Sequence, residues 1–173
     1  MPERISLTRL NTMPSEDFVR WLGGVFEHSP WVAEQAAVHR PFPAIDDLHA
    51  QMVRQIQMAG FEAQLTLIRA HPELAGKAAV SGELTPESSS EQAGAGLDQC
   101  SPDEFARLNQ LNQAYREKFG FPFILAVKGY DRAGIISQFE RRLGLDLEAE
   151  LQESLQQIFR IGRFRLDALI DAA

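Results

Sequence analysis

The stretch from Ser101 to Gly120, "SPDEFARLNQLNQAYREKFG", constrains the fold most, because both ends of a helix are written into it. Ser101 offers its hydroxyl to the unpaired amides of a first turn, Pro102 suits the first helical position, and Glu104 reaches back to complete a capping box. Gly120 supplies the residue on which a helix readily ends. The rest of the chain repeats this pattern less completely. In "PSEDFVRWLGGVFEH", Ser15 reads as an N-cap ahead of two acids, with Phe18, Leu22, Val25 and Phe26 on one face. Pro30 opens a second helix toward His39, and "RPFP" breaks the chain at 40–43. "AIDDLHAQMVRQIQMA" predicts a helix over 44–58 that stops at Gly60. "FEAQLTLIRAH" follows with Phe61, Leu65 and Ile68 on one stripe. "AGIISQFERRLG" is a short helix and "DLEAELQESLQQIFRIGRFRLDALIDA" a long final one. One segment departs from this period. "FPFILAVKG" (121–129) is aromatic, branched and apolar, and reads as a buried strand or extended segment. With no repeat and no linker, the expectation is an all-α, single-domain helical bundle over 1–173 with one short extended apolar segment near 121–128.

Charge and composition exclude several functions. The chain carries 24 acidic and 17 basic residues, a formal charge of −7, which argues against a nucleic-acid surface. Arg141-Arg142, its only short basic cluster, reads as a solvated pair on a helix. No apolar run approaches the roughly 20 residues of a spanning helix, and the N-terminus lacks the apolar core of a secretory signal. Cys100 stands alone, so no internal disulfide framework forms, and a reducing compartment fits. The expectation is a cytoplasmic protein without membrane or nucleic-acid partners.

Three places stand out chemically. Four histidines are present, and His28, His39 and His49 sit at helix ends or among polar residues, which suits surface or capping roles. His71 precedes Pro72, which disfavours continuing the helix, and so falls at a helix C-terminus where the dipole favours imidazolium. Two readings stand for it: a helix-terminal histidine satisfied by carbonyls, or a general acid–base group. In "LTPESSSEQAGAG" (84–96), Thr85-Pro86 marks a helix start and Ser88-x-x-Glu91 matches a capping box, with Glu91 as its acid. On the last helix, Leu151, Leu155, Ile158, Gly162 and Leu169 share one face at about 100° per residue. Arg165 falls among them, whereas Arg160 and Arg163 point away. Arg165 either snorkels at the stripe's edge or enters a pocket, where a buried guanidinium requires an anion. No metal motif, nucleophile elbow or phosphate loop is present, and Ser88, Ser89 and Ser90 have no adjacent base in sequence.

Taken in order, "HSPWVA", "RPF", "RAHPELAGK", "SSSEQAGAGLD", "KFGFPFILAVKG" and "RFRL" resemble the 2-oxo-4-hydroxy-4-carboxy-5-ureidoimidazoline (OHCU) decarboxylases of urate catabolism, from about Leu10 to Leu169. Each motif is weak alone; the ordered set is specific. The family's histidine motif more often reads H-P-D-L-A-G, and Glu73 replaces the aspartate here. The resemblance implies an all-α homodimer that decarboxylates a small anionic ureide without a cofactor and releases S-allantoin. It places the catalytic pair on His71 and Glu91. Substrate binding falls on Pro72, Ser88, Ser89, Ser90, Glu91, Gln92, the segment Phe123, Ile124, Leu125, Ala126 and Val127, and Arg165. Two rivals remain: an isomerase or hydrolase of a related ureide, and a non-catalytic helical protein-binding module.

Overall fold

Nine α-helices, one turn of 3₁₀ helix and a two-residue parallel strand pair make up the regular structure in residues 3–76 and 82–171, which the computed structural model describes. The protein is all-α, as the helical periodicity predicts. Its contacts divide it into two compact units, Met1–Ala70 with Phe159–Ala173, and His71–Ile158. Lys77, the last residue of the RAHPELAGK motif, lies outside the described residues.

The first unit holds strand β1 (Ile5–Ser6) and helices α1 (Leu7–Thr12), α2 (Ser15–Leu22), α3 (Trp31–Ala37), α4 (Ile45–Met58) and α5 (Phe61–Arg69). Strand β2 (Ile170–Asp171) pairs in parallel with β1, Ile5 opposite Ile170. Two residues are too few to show an alternation, so the sequence carried no signal for it. Phe18, Leu22, Val25 and Phe26 are all buried, although α2 ends at Leu22 and the last two follow it. Ser15 begins α2 rather than capping it. Pro14 takes the cap, and the Ser15 hydroxyl accepts a bond from Arg40 Nη2 at 3.1 Å. Arg40 also donates to the carbonyls of Leu10, Met13 and Ala37, closing the ends of α1 and α3. Phe61 is 56 % exposed and is not part of the buried stripe; α5 instead buries Leu67 and Ile68. Phe61 is the first residue of its helix, ahead of the turn that packs.

The second unit contains α6 (Pro86–Gly94), the 3₁₀ turn Leu97–Gln99, α7 (Pro102–Phe119) and α8 (Arg132–Leu143). Helix α9 (Leu147–Leu169) counts with this unit through Ile158 and with the first from Phe159. In its latter part Gly162 meets Phe26: a Cβ there would sit 2.5 Å from the ring, so only glycine admits that contact. The ends of α7 form as the sequence dictates. Ser101 Oγ accepts from the Glu104 amide at 3.1 Å, Glu104 accepts from the Ser101 amide at 3.0 Å, and Gly120 adopts φ 77°. The box expected at Ser88 and Glu91 does not form. Thr85 is the cap, its hydroxyl accepting from the Ser88 amide at 3.2 Å, so Ser88 lies inside the first turn. Pro86, with no amide to donate, takes the first helical position and selects this register.

Arg142 overturns its reading as a solvated residue: it is fully buried. Its Nε donates to Glu150 Oε1 at 2.8 Å, its Nη2 to Glu150 and to Ser154 Oγ (3.2 Å), and its Nη1 to the Ile124 carbonyl. The Tyr115 hydroxyl also donates to Glu150. Burial first, and then that bond, pushes the Tyr115 phenol far above its usual range, so it stays protonated and donating. The guanidinium lies 4.4 Å over the Phe123 ring, which stacks on Phe139 at 3.7 Å. This network holds residues 121–127, which are neither helix nor strand. Phe121 and Phe123 to Val127 are all buried there. A buried segment without a ladder must find other partners for its backbone. The Ile124 carbonyl uses Arg142, and the Ala126 amide donates to Gln157 Oε1 at 3.0 Å. Removing one member of a buried ion pair strands the other charge at about 3–5 kcal/mol, whereas replacing both with apolar residues is often near neutral. Arg142→Met or Glu150→Leu alone should each cost about 3–5 kcal/mol in urea unfolding, and the double variant less than either single one.

Candidate active site

His71 follows directly on Ala70, the C-cap of α5, and is 6 % exposed. Pro72 comes next, and the chain then turns sharply through Glu73–Gly76. Ala75 holds φ 52°, and a Cβ on Gly76 would come within 2.8 Å of the Glu73 Cβ, so the turn's tightness requires glycine there. Leu74 and Ala75 are buried, so the backbone groups of this turn need partners inside the protein. Side chains supply them. The Ala75 amide donates to Gln92 Oε1 at 3.0 Å, and Gln92 Nε2 donates to the Glu73 carbonyl at 3.3 Å. Asn112 Nδ2 donates to the Leu74 carbonyl at 2.9 Å. Arg116 Nε pairs with Glu73 Oε1 at 3.0 Å on the more exposed side.

Helix α6 carries Ser88, Ser89, Ser90, Glu91 and Gln92. Ser88 and Gln92, four residues apart, share its buried side; Glu91 is half-buried, and Ser89 and Ser90 are exposed. Glu91 and Gln92 stand in the second turn, not at the helix start. Ser89 lines a cleft of about 300 Å³ together with Ala75, Gln92, Ala93, Asp98 and Cys100. Burial raises the Cys100 thiol, with Glu104 adding to it, so Cys100 is not an activated nucleophile. Among the described residues no three His, Cys, Asp or Glu side chains cluster as a metal site would require.

The structure therefore ties the helix bearing Ser88–Gln92 to the turn that follows His71, through the two bonds of Gln92. Phe123, Ile124, Leu125, Ala126 and Val127 lie in the same unit and are buried. Phe123 packs inward between Arg142 and Phe139, and Ile124 and Ala126 each commit a backbone group to α8 or α9. Arg165 belongs to the first unit and is 5 % exposed, on the apolar face the helical wheel assigns it. Its guanidinium meets an anion of the protein's own: Nη2 donates to Glu27 Oε1 at 2.8 Å and Nη1 to the Val25 carbonyl at 3.2 Å. Glu27 sits in the turn after α2 and Asn112 midway along α7, where neither is set off from ordinary polar neighbours by any periodicity. The one usable sign was the spacing of Glu150, Ser154 and Gln157, a polar i, i+4, i+7 row beside an apolar stripe.

The chemistry on offer in the second unit is a buried imidazole just ahead of a pinned turn, with a carboxylate and a primary amide on the helix bonded to that turn. Gln92→Leu should leave the Ala75 amide and the Glu73 carbonyl without these partners. It should lower stability by about 1–3 kcal/mol in urea unfolding.

A family model described as OHCU decarboxylase matches residues 11–167. The chain is 39 % identical over 162 residues to the 2-oxo-4-hydroxy-4-carboxy-5-ureidoimidazoline decarboxylase of Haloferax volcanii, covering 94 % of each. It is 37 % identical to the Mus musculus protein of the same name over 168 residues, 97 % of this chain and 94 % of that one. A crystal structure of (S)-allantoin synthase superposes with a TM-score of 0.79 at 29 % identity, covering 96 % of this chain and 55 % of that one.

Proposed function

The chain belongs to the OHCU decarboxylase family, a family of carboxy-lyases, and from that premise we propose that it converts 2-oxo-4-hydroxy-4-carboxy-5-ureidoimidazoline to (S)-allantoin in urate degradation. The observation that carries the reading within the fold is His71, buried just ahead of a turn that Gln92 fastens to the helix bearing Glu91. In the reaction the bond to the carboxylate carbon breaks and its electron pair enters the adjacent carbon–nitrogen double bond. CO₂ leaves, and one proton is added to one face of the ring. The substrate's own imine accepts the electrons, so no pyridoxal or thiamine sink is needed.

The protein's task is then to orient the ring and to move a proton in a water-poor setting. We assign His71 as the acid–base group, with Glu91 favouring its imidazolium form as nearby carboxylates do. Pro72, Ser88, Ser89, Ser90 and Gln92 are assigned to the ureido and ring amides, with residues 123–127 supplying further contacts. Gln92 retains one N–H and one lone pair beyond its two bonds to the turn, enough for a ligand. Arg165 is assigned to substrate oxygens; its bidentate fork suits a carboxylate. The working form is taken as a cytoplasmic homodimer, which rests on the family resemblance and on the lone free cysteine.

The test generates the unstable substrate from urate with urate oxidase and hydroxyisourate hydrolase. It then follows its ultraviolet decay and the circular dichroism of the allantoin formed. The protein should accelerate decay and yield the S form; racemic product at the spontaneous rate contradicts the reading. His71→Asn and Glu91→Gln should each lower kcat by about 10²–10⁴-fold. Retained turnover in either variant removes that residue from the pair. Arg165→Met should raise KM at least tenfold, and an unchanged KM counts against its role.

A further inference from the structure

Asn112 is a buried polar residue in the middle of α7, 3 % exposed, with no place in the reading above. Its amide orientation is fixed by chemistry: only the NH₂ can face the Leu74 carbonyl, 2.9 Å away. Its other atom, Oδ1, is buried and makes no hydrogen bond to the described residues. A buried acceptor left unmade costs at least as much as one ordinary hydrogen bond returns. Asn112 is therefore a poor choice for stability, and leucine would fill a similar volume. What asparagine provides is a directed bond from the midpoint of an 18-residue helix, capped at both ends, to the turn three residues beyond His71. One helical turn on, Arg116 takes the side chain of Glu73 in that same turn. Gln92 holds the residues on either side of Leu74. Three consecutive residues of the turn are thus fixed from two helices, and Asn112 is the buried contact that ties the turn's backbone to the longer one, beside the more exposed pair of Arg116 and Glu73.

We propose that Asn112 is a positioning residue for His71: it sets the register of the turn against α7 and so the place of the imidazole, without touching substrate. This rests on the assignment of His71 as the acid–base group. Asn112→Leu exchanges the orphaned Oδ1 for an orphaned Leu74 carbonyl. Stability therefore changes little, with Tm moving about 2–4 °C, while the directed bond is lost.

The experiment measures kcat and KM of wild type and Asn112→Leu in the coupled assay, well below the Tm of either protein. The expected result is a kcat lowered at least tenfold with KM within threefold of wild type, because His71 and Pro72 are displaced with the turn while the other assigned binding groups, on α6, in residues 123–127 and at Arg165, are not. A merely structural role would lower Tm and leave kcat alone. Should Asn112→Leu fail to fold, Asn112→Ser, whose shorter hydroxyl cannot span to Leu74, decides on the same criterion. An active wild type with unchanged kcat in the folded variant overturns the inference alone. A wild type that does not accelerate the decay overturns the functional reading and this inference with it.

Discussion

The buried pair of Arg142 and Glu150 is the interaction on which the second unit depends. Both side chains are removed from water, and neither charge survives there without the other. Their geometry recruits more than each other. Tyr115 from α7, Ser154 from α9 and the Ile124 carbonyl all converge on them, and Phe123 lies under the guanidinium. The pair thereby joins three helices to a stretch of chain that forms no regular structure. Apolar residues of equal volume would bind the helices as well, but would leave the Ile124 carbonyl without a donor.

The same solution recurs at the turn after His71. Both irregular segments of the candidate site are buried, both lack a strand partner among the described residues, and both have their backbone served by side chains from rigid helices. Gln92, Asn112 and Gln157 are long or branched amides placed where an ordinary core would carry leucine. A site built this way draws its geometry from helices whose ends are fixed locally, not from the flexibility of its own loops. Arg165 follows a parallel rule in the first unit, where Glu27 supplies its counter-charge.

Much of what depends on neighbours in sequence was legible; what depends on neighbours in space mostly was not. The ends of α7 were readable because Ser101, Pro102, Glu104 and Gly120 act within one turn of themselves. The S-x-x-E at Ser88 misled because a second valid cap, Thr85, lies three residues earlier, and Pro86 chooses between them. Arg165 stood out because it interrupts an apolar stripe, and of the two readings this left, an edge position or burial beside an anion, the structure shows burial against Glu27. Burial of Arg142 was hidden because its partner lies eight residues away on another helix, and an arginine pair looks solvated until that partner is known. The segment 121–127 was recognisable as buried from its composition. Its lack of a ladder was not, since an apolar run reads equally as a strand. The family resemblance named candidate residues for the site, and the fold adds how the turn after His71 and the 121–127 segment are held.

The central claim is that the two irregular segments are as firmly held as the helices around them. Native-state hydrogen exchange at the amides of Ala75 and Ala126 tests it most directly, since each donates to a side-chain oxygen rather than to backbone. The account predicts that both exchange as slowly as interior amides of α7, opening only with unfolding of the unit. Exchange at the rate of an exposed loop, with α7 still protected, would contradict it.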